Sequence, residues 1–210
     1  MSQEKYVVWL DVDDVLVDFC RTYNAHITSM GHGPLMLDYV PVSWNYLEVL
    51  GTEERSREAF ASLPADWPLN LEAHQGAVAF TWKLHLAGAR VVLITSLGQA
   101  FAVHRLRNLT AHGIYFDEIL FTSKGEGQEK PDYMDALMSR YAGAQHVFAD
   151  DYWKNLLAVA KEFGSLVSTY TFERPYNAPA AAEMFSLDVD VSKTRQEMFE
   201  KILKKVNKGG

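Results

Sequence analysis

Residues 6–15 read YVVWLDVDDV, an apolar run that passes directly into a cluster of carboxylates. The first five residues of this run are β-branched, aromatic or otherwise apolar, which predicts a strand buried on both faces. Asp11, Asp13 and Asp14 follow at once. Ligands of parallel α/β sheets bind just beyond the carboxyl ends of the strands, so this junction is the first candidate for a functional site.

Short apolar runs alternate with amphipathic segments along the rest of the chain. Strands that alternate with helices form right-handed βαβ units, so the pattern predicts an α/β fold with a mostly parallel sheet flanked by helices. We predict further strands at 91–94, 118–121, 146–149 and 166–172, and helices at 15–30, 77–87, 99–112, from Pro131, at 153–160 and at 198–206.

Residues 31–71 interrupt this regular alternation. The segment contains four prolines and only short helical pieces, such as 52–63, for which Thr52 is a suitable N-cap. We therefore expect a small, mainly helical insertion between the first and the second strand.

The composition limits the classes of function. A chain of 210 residues suits one domain with a small insertion. The net charge of −7 disfavours a nucleic acid polymer as a partner, because an acidic surface repels its phosphates. The single cysteine, Cys20, has no partner for an internal disulfide, and no apolar run is long enough to span a membrane. We expect a cytoplasmic protein, a monomer or homodimer, without membrane contact.

Polar residues that can do chemistry gather at the predicted strand ends. Clustered carboxylates repel one another unless a cation neutralises them, and hard oxygen ligands favour Mg²⁺. A lysine can pair with a phosphate, one carboxylate can attack phosphorus, and another can transfer protons. Aspartates after a strand are also common in helix caps and turns, but four polar features in order favour a site. The set is Asp11, Asp13 and Asp14 after the first strand, Thr95 and Ser96 after the second, Lys130 before the fourth, and Asp150 and Asp151 after the fourth.

Four short motifs in this order resemble those of the haloacid dehalogenase superfamily. They are DVDDVL at 11–16, LITS at 93–96, KPD at 130–132 and VFADD at 147–151, and the resemblance extends over residues 7–172. It implies a Rossmann-like core and a phosphatase that acts through an aspartyl-phosphate. It also implies that the insertion is a small helical cap of the first type, which closes over the site. The expected domains are a core of residues 1–18 and 73–210 and a cap of residues 19–72.

The resemblance implies a catalytic role for four matching residues. Asp11 is expected to attack phosphorus, and Asp13 to protonate the leaving oxygen and then activate water. Thr95 is expected to hydrogen-bond the phosphoryl group, and Lys130 to neutralise Asp11 and the phosphate. Lys124 also follows a strand and competes for this role, but Lys-Pro at the start of a helix matches the third motif better.

The resemblance also implies ligands for Mg²⁺ and for the phosphate. The ion is expected to be bound by Asp11, by the backbone carbonyl of Asp13 and by Asp151, with Asp150 as a further ligand or as a supporting partner. Asp14 stands where the superfamily often has glycine, asparagine or lysine. Its carboxylate must therefore point away from the phosphate, as at a helix start, or ordinary phosphatase activity is in doubt. Phosphate oxygens are expected to be held by backbone N–H groups near Asp13, Asp14 and Ser96.

The expected cap is rich in aromatic residues, which either form its small core or bind a flat substrate group. Residues 11–19, DVDDVLVDF, and residues 174–177, RPYN, resemble elements of the 5′(3′)-deoxyribonucleotidases. That narrower resemblance implies a (deoxy)nucleoside monophosphate as the substrate. The candidate stacking residues are Phe19, Tyr23, Trp44 and Tyr46.

Other functions remain open at this point. A phosphatase or phosphotransferase for a sugar phosphate, or for another small phosphorylated metabolite, would use the same residues. A dehalogenase would use Asp11 but would need neither Asp13 nor Mg²⁺. A non-catalytic binding protein would be expected to have lost at least one residue of the set, and all of them are present.

Overall fold

The computed structural model describes residues 5–122 and 130–208. Its six strands are β1 (Tyr6–Leu10), β2 (Ala89–Thr95), β3 (Glu118–Phe121), β4 (Gln145–Ala149), β5 (Val167–Phe172) and β6 (Asp190–Ser192). They form one sheet in the order β3-β2-β1-β4-β5-β6, and every neighbouring pair is parallel. The first strand therefore lies in the middle, between the second and the fourth, so the loops that follow these three strands meet at one edge.

Helices cover both faces of the sheet. They are α1 (Phe19–Ser29), α2 (Leu47–Leu50), α3 (Glu53–Ala61), α4 (Ala77–Leu86), α5 (Ala102–His112), α6 (Lys130–Met138), α7 (Trp153–Phe163), α8 (Ala181–Ser186) and α9 (Arg195–Lys208). Side chains alternate along β1, so Tyr6, Val8 and Leu10 pack against α4, α5 and α9, while Val7 and Trp9 pack against α6, α7 and α8. In the described part of the chain, no helix has both the length and the apolarity needed to cross a membrane.

The predicted α/β fold and all five predicted strands are confirmed. The sixth strand, β6, and the short helix α8 were not predicted, because three and six residues are too few to show a periodic pattern. The first helix was predicted from residue 15 but begins at Phe19. Residues before it form turns, and the side chain of Asp18 accepts a hydrogen bond from the backbone N–H of Arg21 at 2.9 Å, which is the contact of an N-cap.

The segment from 19 to 72 has an apolar core of its own, made of buried residues from α1, α2, α3 and the adjoining turns. Its two ends lie side by side, because Asp18 N donates to Glu72 O at 2.8 Å and His74 N donates to Leu16 O at 2.9 Å. This geometry is typical of an insertion whose two ends leave and rejoin the sheet domain at one point. The division into core and cap stays a prediction. The predicted N-cap of α3 is confirmed, since Thr52 accepts from Arg55 N at 3.2 Å.

Candidate active site

Three buried carboxylates meet at the carboxyl ends of β1 and β4. Asp11, Asp150 and Asp151 each offer one carboxylate oxygen, and these three atoms all lie within 4.8 Å of one another. Asp11 is fixed in register with the neighbouring strand, because its N–H donates to the carbonyl of Ala149 at 2.9 Å. Adjacent parallel strands thus bring together residues that are about 140 positions apart in sequence.

Lys130 bridges two of these carboxylates from the start of α6. Its Nζ is fully buried and donates to Asp11 Oδ1 and, at 2.7 Å, to Asp150 Oδ2. Burial alone lowers the pKa of Lys130, but Asp11 and Asp150 outweigh it and hold the pKa above its ordinary value, so the amine stays charged. Lys124, the competing candidate, lies outside the described residues.

The carboxylate of Asp150 is held by three hydrogen-bond donors. Its Oδ2 accepts from Lys130 and from Asn155 Nδ2 at 2.9 Å, and its Oδ1 accepts from the N–H of Tyr152 at 2.8 Å. A fully buried carboxylate with three donors has little capacity left for a cation. Of the two roles that were left open for Asp150, the geometry favours that of a supporting partner.

The charges and donors of the site fit Mg²⁺. Three buried carboxylates face Lys130 and, beside Asp151, Arg174, which also pairs with Asp14, so negative charge stays in excess. Burial, opposed by Lys130, raises the pKa of Asp11 well above its ordinary value. Burial and the carboxylate of Asp14 raise the pKa of Asp151 to about 7. Carboxylates in this condition are stabilised by a divalent cation, and a set made only of oxygens suits Mg²⁺. Asp11 and Asp151 would hold the ion, with the Asp13 carbonyl as the expected third ligand.

The carboxylate of Asp13 turns away from this cluster, towards β2 and α5. Its Oδ2 lies 3.5 Å from Oγ1 of Thr95, which is fully buried at the end of β2. Its Oδ1 accepts a hydrogen bond from Nη2 of Arg105. The structure therefore separates the side chain of Asp13, for which a role in proton transfer is predicted, from the carboxylates that suit the metal.

Arg105 is a residue of the site that sequence reasoning missed. Its side chain is fully buried in α5, with the guanidinium carbon 5.7 Å from the centre of the Trp67 ring. Among the described residues, its Nε and Nη1 have no hydrogen-bond partner. One signal in the sequence could have identified it: Arg105 shares the buried face of α5 with Asn108 and Leu109. A buried arginine needs a hydrogen-bonding or charged partner, which indicates a carboxylate nearby.

The phosphate-binding role predicted for Asp14 is not supported by its contacts. Asp14 is in the left-handed region, with φ of 56°, and its N–H donates to the carbonyl of Val17 at 2.7 Å. Its carboxylate accepts from the N–H of Cys20 at 3.0 Å and from the Cys20 thiol at 2.9 Å. The side chain therefore binds Cys20 in the first turn of α1, which is the helix-start position that the sequence required if ordinary activity was to be kept. Ser96 is partly buried beside Thr95, and its phosphate role stays a prediction.

The predicted stacking residues divide into two groups. Tyr23 and Tyr46 are 3% and 1% exposed and belong to the core of the helical segment, so the structure uses them for packing. Phe19 is partly buried and lies 5.3 Å from the Trp67 ring. Trp44 is 50% exposed and stacks on Tyr152, next to Asp151, at 4.9 Å. Of the four, Trp44 is the one that offers an open surface beside the site.

Residues 174–177 surround Asp151 instead of forming an isolated turn. The Tyr176 hydroxyl donates to Asp151 Oδ2, and Asn177 Nδ2 donates to the Asp151 carbonyl at 2.8 Å. Nε of Arg174 lies 3.9 Å from the same Oδ2. The segment that had suggested a nucleotidase is thus in direct contact with a candidate metal ligand.

Solved structures share this architecture over nearly the whole chain. A protein described as a predicted phosphoglycolate phosphatase, from Haemophilus somnus 129PT, has a TM-score of 0.62 and 18% identity, covering 98% of this chain and 99% of that one. A protein proposed to be a haloacid dehalogenase-like hydrolase, from Burkholderia xenovorans LB400, has a TM-score of 0.60 and 18% identity, covering 94% and 98%. A protein proposed to be a β-phosphoglucomutase, from Thermotoga maritima, has a TM-score of 0.59 and 20% identity, covering 96% and 99%.

The chain has the haloacid dehalogenase fold. No protein-family model matches it, and neither does any curated protein sequence. At these identities the likeness establishes the haloacid dehalogenase fold and leaves the activity to be argued from the site. The narrower resemblance to the 5′(3′)-deoxyribonucleotidases is not supported by these structures.

Proposed function

We propose that this protein is a Mg²⁺-dependent phosphoric monoester hydrolase that acts on a small phosphorylated metabolite through an aspartyl-phosphate. One observation carries the proposal: Lys130 donates to both Asp11 and Asp150, and Asp151 lies within 4.8 Å of both. Phosphoryl transfer to aspartate requires a nucleophilic carboxylate and a positively charged group beside it, here Asp11 and the Lys130 ammonium group. It also requires a second carboxylate that can bind the metal ion, here Asp151, at the same edge of the sheet.

In the first half-reaction, an oxygen of Asp11 forms a bond to phosphorus while the bond from phosphorus to the leaving oxygen breaks. Asp13, entering in its protonated form, transfers its proton to that leaving oxygen. Lys130 balances the charge that Asp11 and the phosphoryl oxygens bring together, and the Thr95 hydroxyl donates a hydrogen bond to one of those oxygens. Mg²⁺, when bound, supplies further positive charge to the transferring group.

In the second half-reaction, water attacks the phosphorus of the aspartyl-phosphate and the bond from phosphorus to Asp11 breaks. Asp13, now ionised, takes the proton of that water, so inorganic phosphate leaves and both aspartates return to their starting forms. The contact of Asp13 with Arg105 holds the carboxylate at the edge of the site between turnovers.

Two classes of substrate compete within this proposal. A nucleoside monophosphate is supported by the half-exposed Trp44 ring, which offers a flat surface beside the site. A sugar phosphate or short acid phosphate is supported by the names of two proteins with the same fold, a phosphoglycolate phosphatase and a β-phosphoglucomutase. A phosphotransferase would share every step up to the attack on the aspartyl-phosphate, with a sugar hydroxyl in place of water.

Replacement of the nucleophile tests the central proposal. Asp11→Asn should reduce hydrolysis of an aryl phosphate to a few per cent or less, and a radiolabelled phosphoryl group should be trapped on the wild-type chain but not on the variant. Asp66→Asn, the same change at an exposed aspartate, should leave both measurements unchanged. Retention of the wild-type rate by Asp11→Asn, with no labelled chain in either protein, would refute an aspartyl-phosphate mechanism.

A further inference from the structure

We infer that residues 174–177 set the position of Asp151 and thereby the affinity of the site for Mg²⁺, an inference that rests on the metal site of the proposed function. Asn177 holds the main chain on both sides of Tyr152, directly after Asp151: its Nδ2 donates to the Asp151 carbonyl at 2.8 Å, and its Oδ1 accepts from the N–H of Trp153 at 3.1 Å. The Tyr176 hydroxyl holds the side chain through Oδ2. Backbone and carboxylate are thus fixed separately.

Arg174 connects this segment to the second loop that carries candidate ligands. Its side chain is buried against the Phe172 ring, with the guanidinium carbon 4.7 Å from the ring centre. Its Nε lies 3.9 Å from Asp151 Oδ2, and its Nη2 donates to the carbonyl of Asp14 at 3.3 Å. Arg195 donates to the same carbonyl at 2.9 Å. The loop after β1 and the loop after β4 are therefore held by one group of side chains.

The arrangement leaves one oxygen of Asp151 for a cation. The Tyr176 hydroxyl and the Arg174 guanidinium both lie at Oδ2, so Oδ1 is the oxygen expected to bind Mg²⁺, and rotation of the carboxylate would break the hydroxyl contact. Groups that orient a metal ligand typically change the affinity by about 10- to 100-fold when they are removed, because the ligand must then be ordered when the ion binds. Arg174, Tyr176 and Asn177 are, on this argument, positioning residues.

Titration calorimetry with Mg²⁺ alone, without substrate, tests the inference. Tyr176→Phe keeps the ring in its buried place and removes only the hydroxyl, so the Kd for Mg²⁺ should rise about 10-fold or more. Tyr141→Phe is the matched control, because its hydroxyl also donates to a carboxylate, that of Glu118 on β3, away from the site. Its Kd should equal that of the wild type. Circular dichroism and thermal melting check the fold of each variant.

Two further variants separate failure of this inference from failure of the proposed function. Arg174→Lys keeps the charge but loses the planar guanidinium fork, so it should also raise the Kd for Mg²⁺. If Tyr176→Phe does not fold, the result for Arg174→Lys alone decides. If Tyr176→Phe and Arg174→Lys both bind Mg²⁺ within twofold of the wild type while Asp151→Asn binds it poorly, the inference is wrong and the metal site stands. If the wild type does not bind Mg²⁺, or Asp151→Asn binds it equally well, both are overturned.

Discussion

A buried ammonium group between two carboxylates is the residue-scale feature on which the proposed chemistry depends most. Lys130→Met keeps most of the side-chain volume and removes the charge that faces Asp11 and Asp150. We expect the rate of phosphate ester hydrolysis to fall by about 10²-fold or more, the scale for loss of one group that stabilises developing charge. Steady-state kinetics on the folded variant, confirmed by circular dichroism, measures this loss.

The control for this prediction is a lysine–carboxylate pair outside the site. Lys201 donates at 2.7 Å to Asp190, the first residue of the outermost strand β6. Because this pair lies away from the site, Lys201→Met should retain the wild-type rate. A silent Lys130→Met together with a damaging Lys124→Met would mean that the lysine of the third motif has been misassigned.

His74 makes the stability of the protein depend on pH. Burial and the guanidinium groups of Arg195 and Arg174 lower the pKa of His74 to about 2, although Asp18 lies 3.9 Å away. Below its ordinary pKa of 6.5, the unfolded chain takes up a proton on this histidine that the folded chain refuses, so stability is lost as the pH falls. The loss should reach about 2 kcal/mol at pH 5, from about 1.4 kcal/mol per pH unit.

The corresponding experiment compares melting temperatures at pH 7.5 and pH 5, values chosen to lie on either side of about 6.5. For a chain of this length, the loss corresponds to about 4–8 °C, measured as the difference between the wild type and His74→Asn, because the raised pKa values of Asp11, Asp14 and Asp151 act in the opposite sense in both proteins alike. His74→Asn should show a smaller fall, because asparagine does not titrate and the other histidines affect both proteins alike. An equal fall in the two proteins would contradict the assignment to His74.

At the scale of elements, the helical segment contributes one half-exposed aromatic ring to the edge of the site. Trp44 stacks on Tyr152, directly after Asp151. If the ring binds a nucleobase, Trp44→Ala should lower kcat/KM for nucleoside monophosphates about tenfold, because base stacking contributes about 1–3 kcal/mol. The same variant should hydrolyse a small aryl phosphate at nearly the wild-type kcat/KM.

Phe60→Ala is a suitable control for this experiment, since Phe60 is also a half-exposed aromatic residue of the helical segment but lies against Phe19 and Trp67. It should not alter the preference between substrates. If sugar phosphates or phosphoglycolate have a higher kcat/KM than every nucleotide in the wild type, the nucleotide assignment is wrong and the phosphatase proposal stands.

At the scale of the whole molecule, the site depends on the sheet order, because the central position of β1 brings together the residues that follow β1, β2 and β4. The three carboxylates after β1 and β4 outnumber the two cationic side chains that contact them, Lys130 and Arg174, so turnover should require Mg²⁺. Chelation should stop hydrolysis, added Mg²⁺ should restore it, and Ca²⁺ should inhibit because its larger and looser shell misplaces the nucleophile. Full activity in excess chelator, with the absence of metal confirmed by elemental analysis, would contradict the prediction.

The sequence alone predicted the parallel α/β sheet, the order of its main elements and the polar residues at the carboxyl ends of its strands. Each of these follows from local information: apolar runs mark strands, and residues directly after parallel strands must meet at one edge. The same local logic predicted the N-cap at Thr52 but placed the start of α1 four residues early. The turns before Phe19 depend on the left-handed conformation of Asp14, which periodicity does not reveal.

Only the tertiary structure decided which side chains support the site. Arg105 reaches Asp13 across 92 residues and Tyr176 reaches Asp151 across 25, and no spacing rule predicts contacts between elements whose packing is unknown. The structure also separated Tyr46, which is buried in the core of the helical segment, from Trp44, which lies two residues before it and is half exposed. The sequence determined where chemistry could occur, because strand ends are set locally, whereas the packing of distant elements decided which residues hold that chemistry in place.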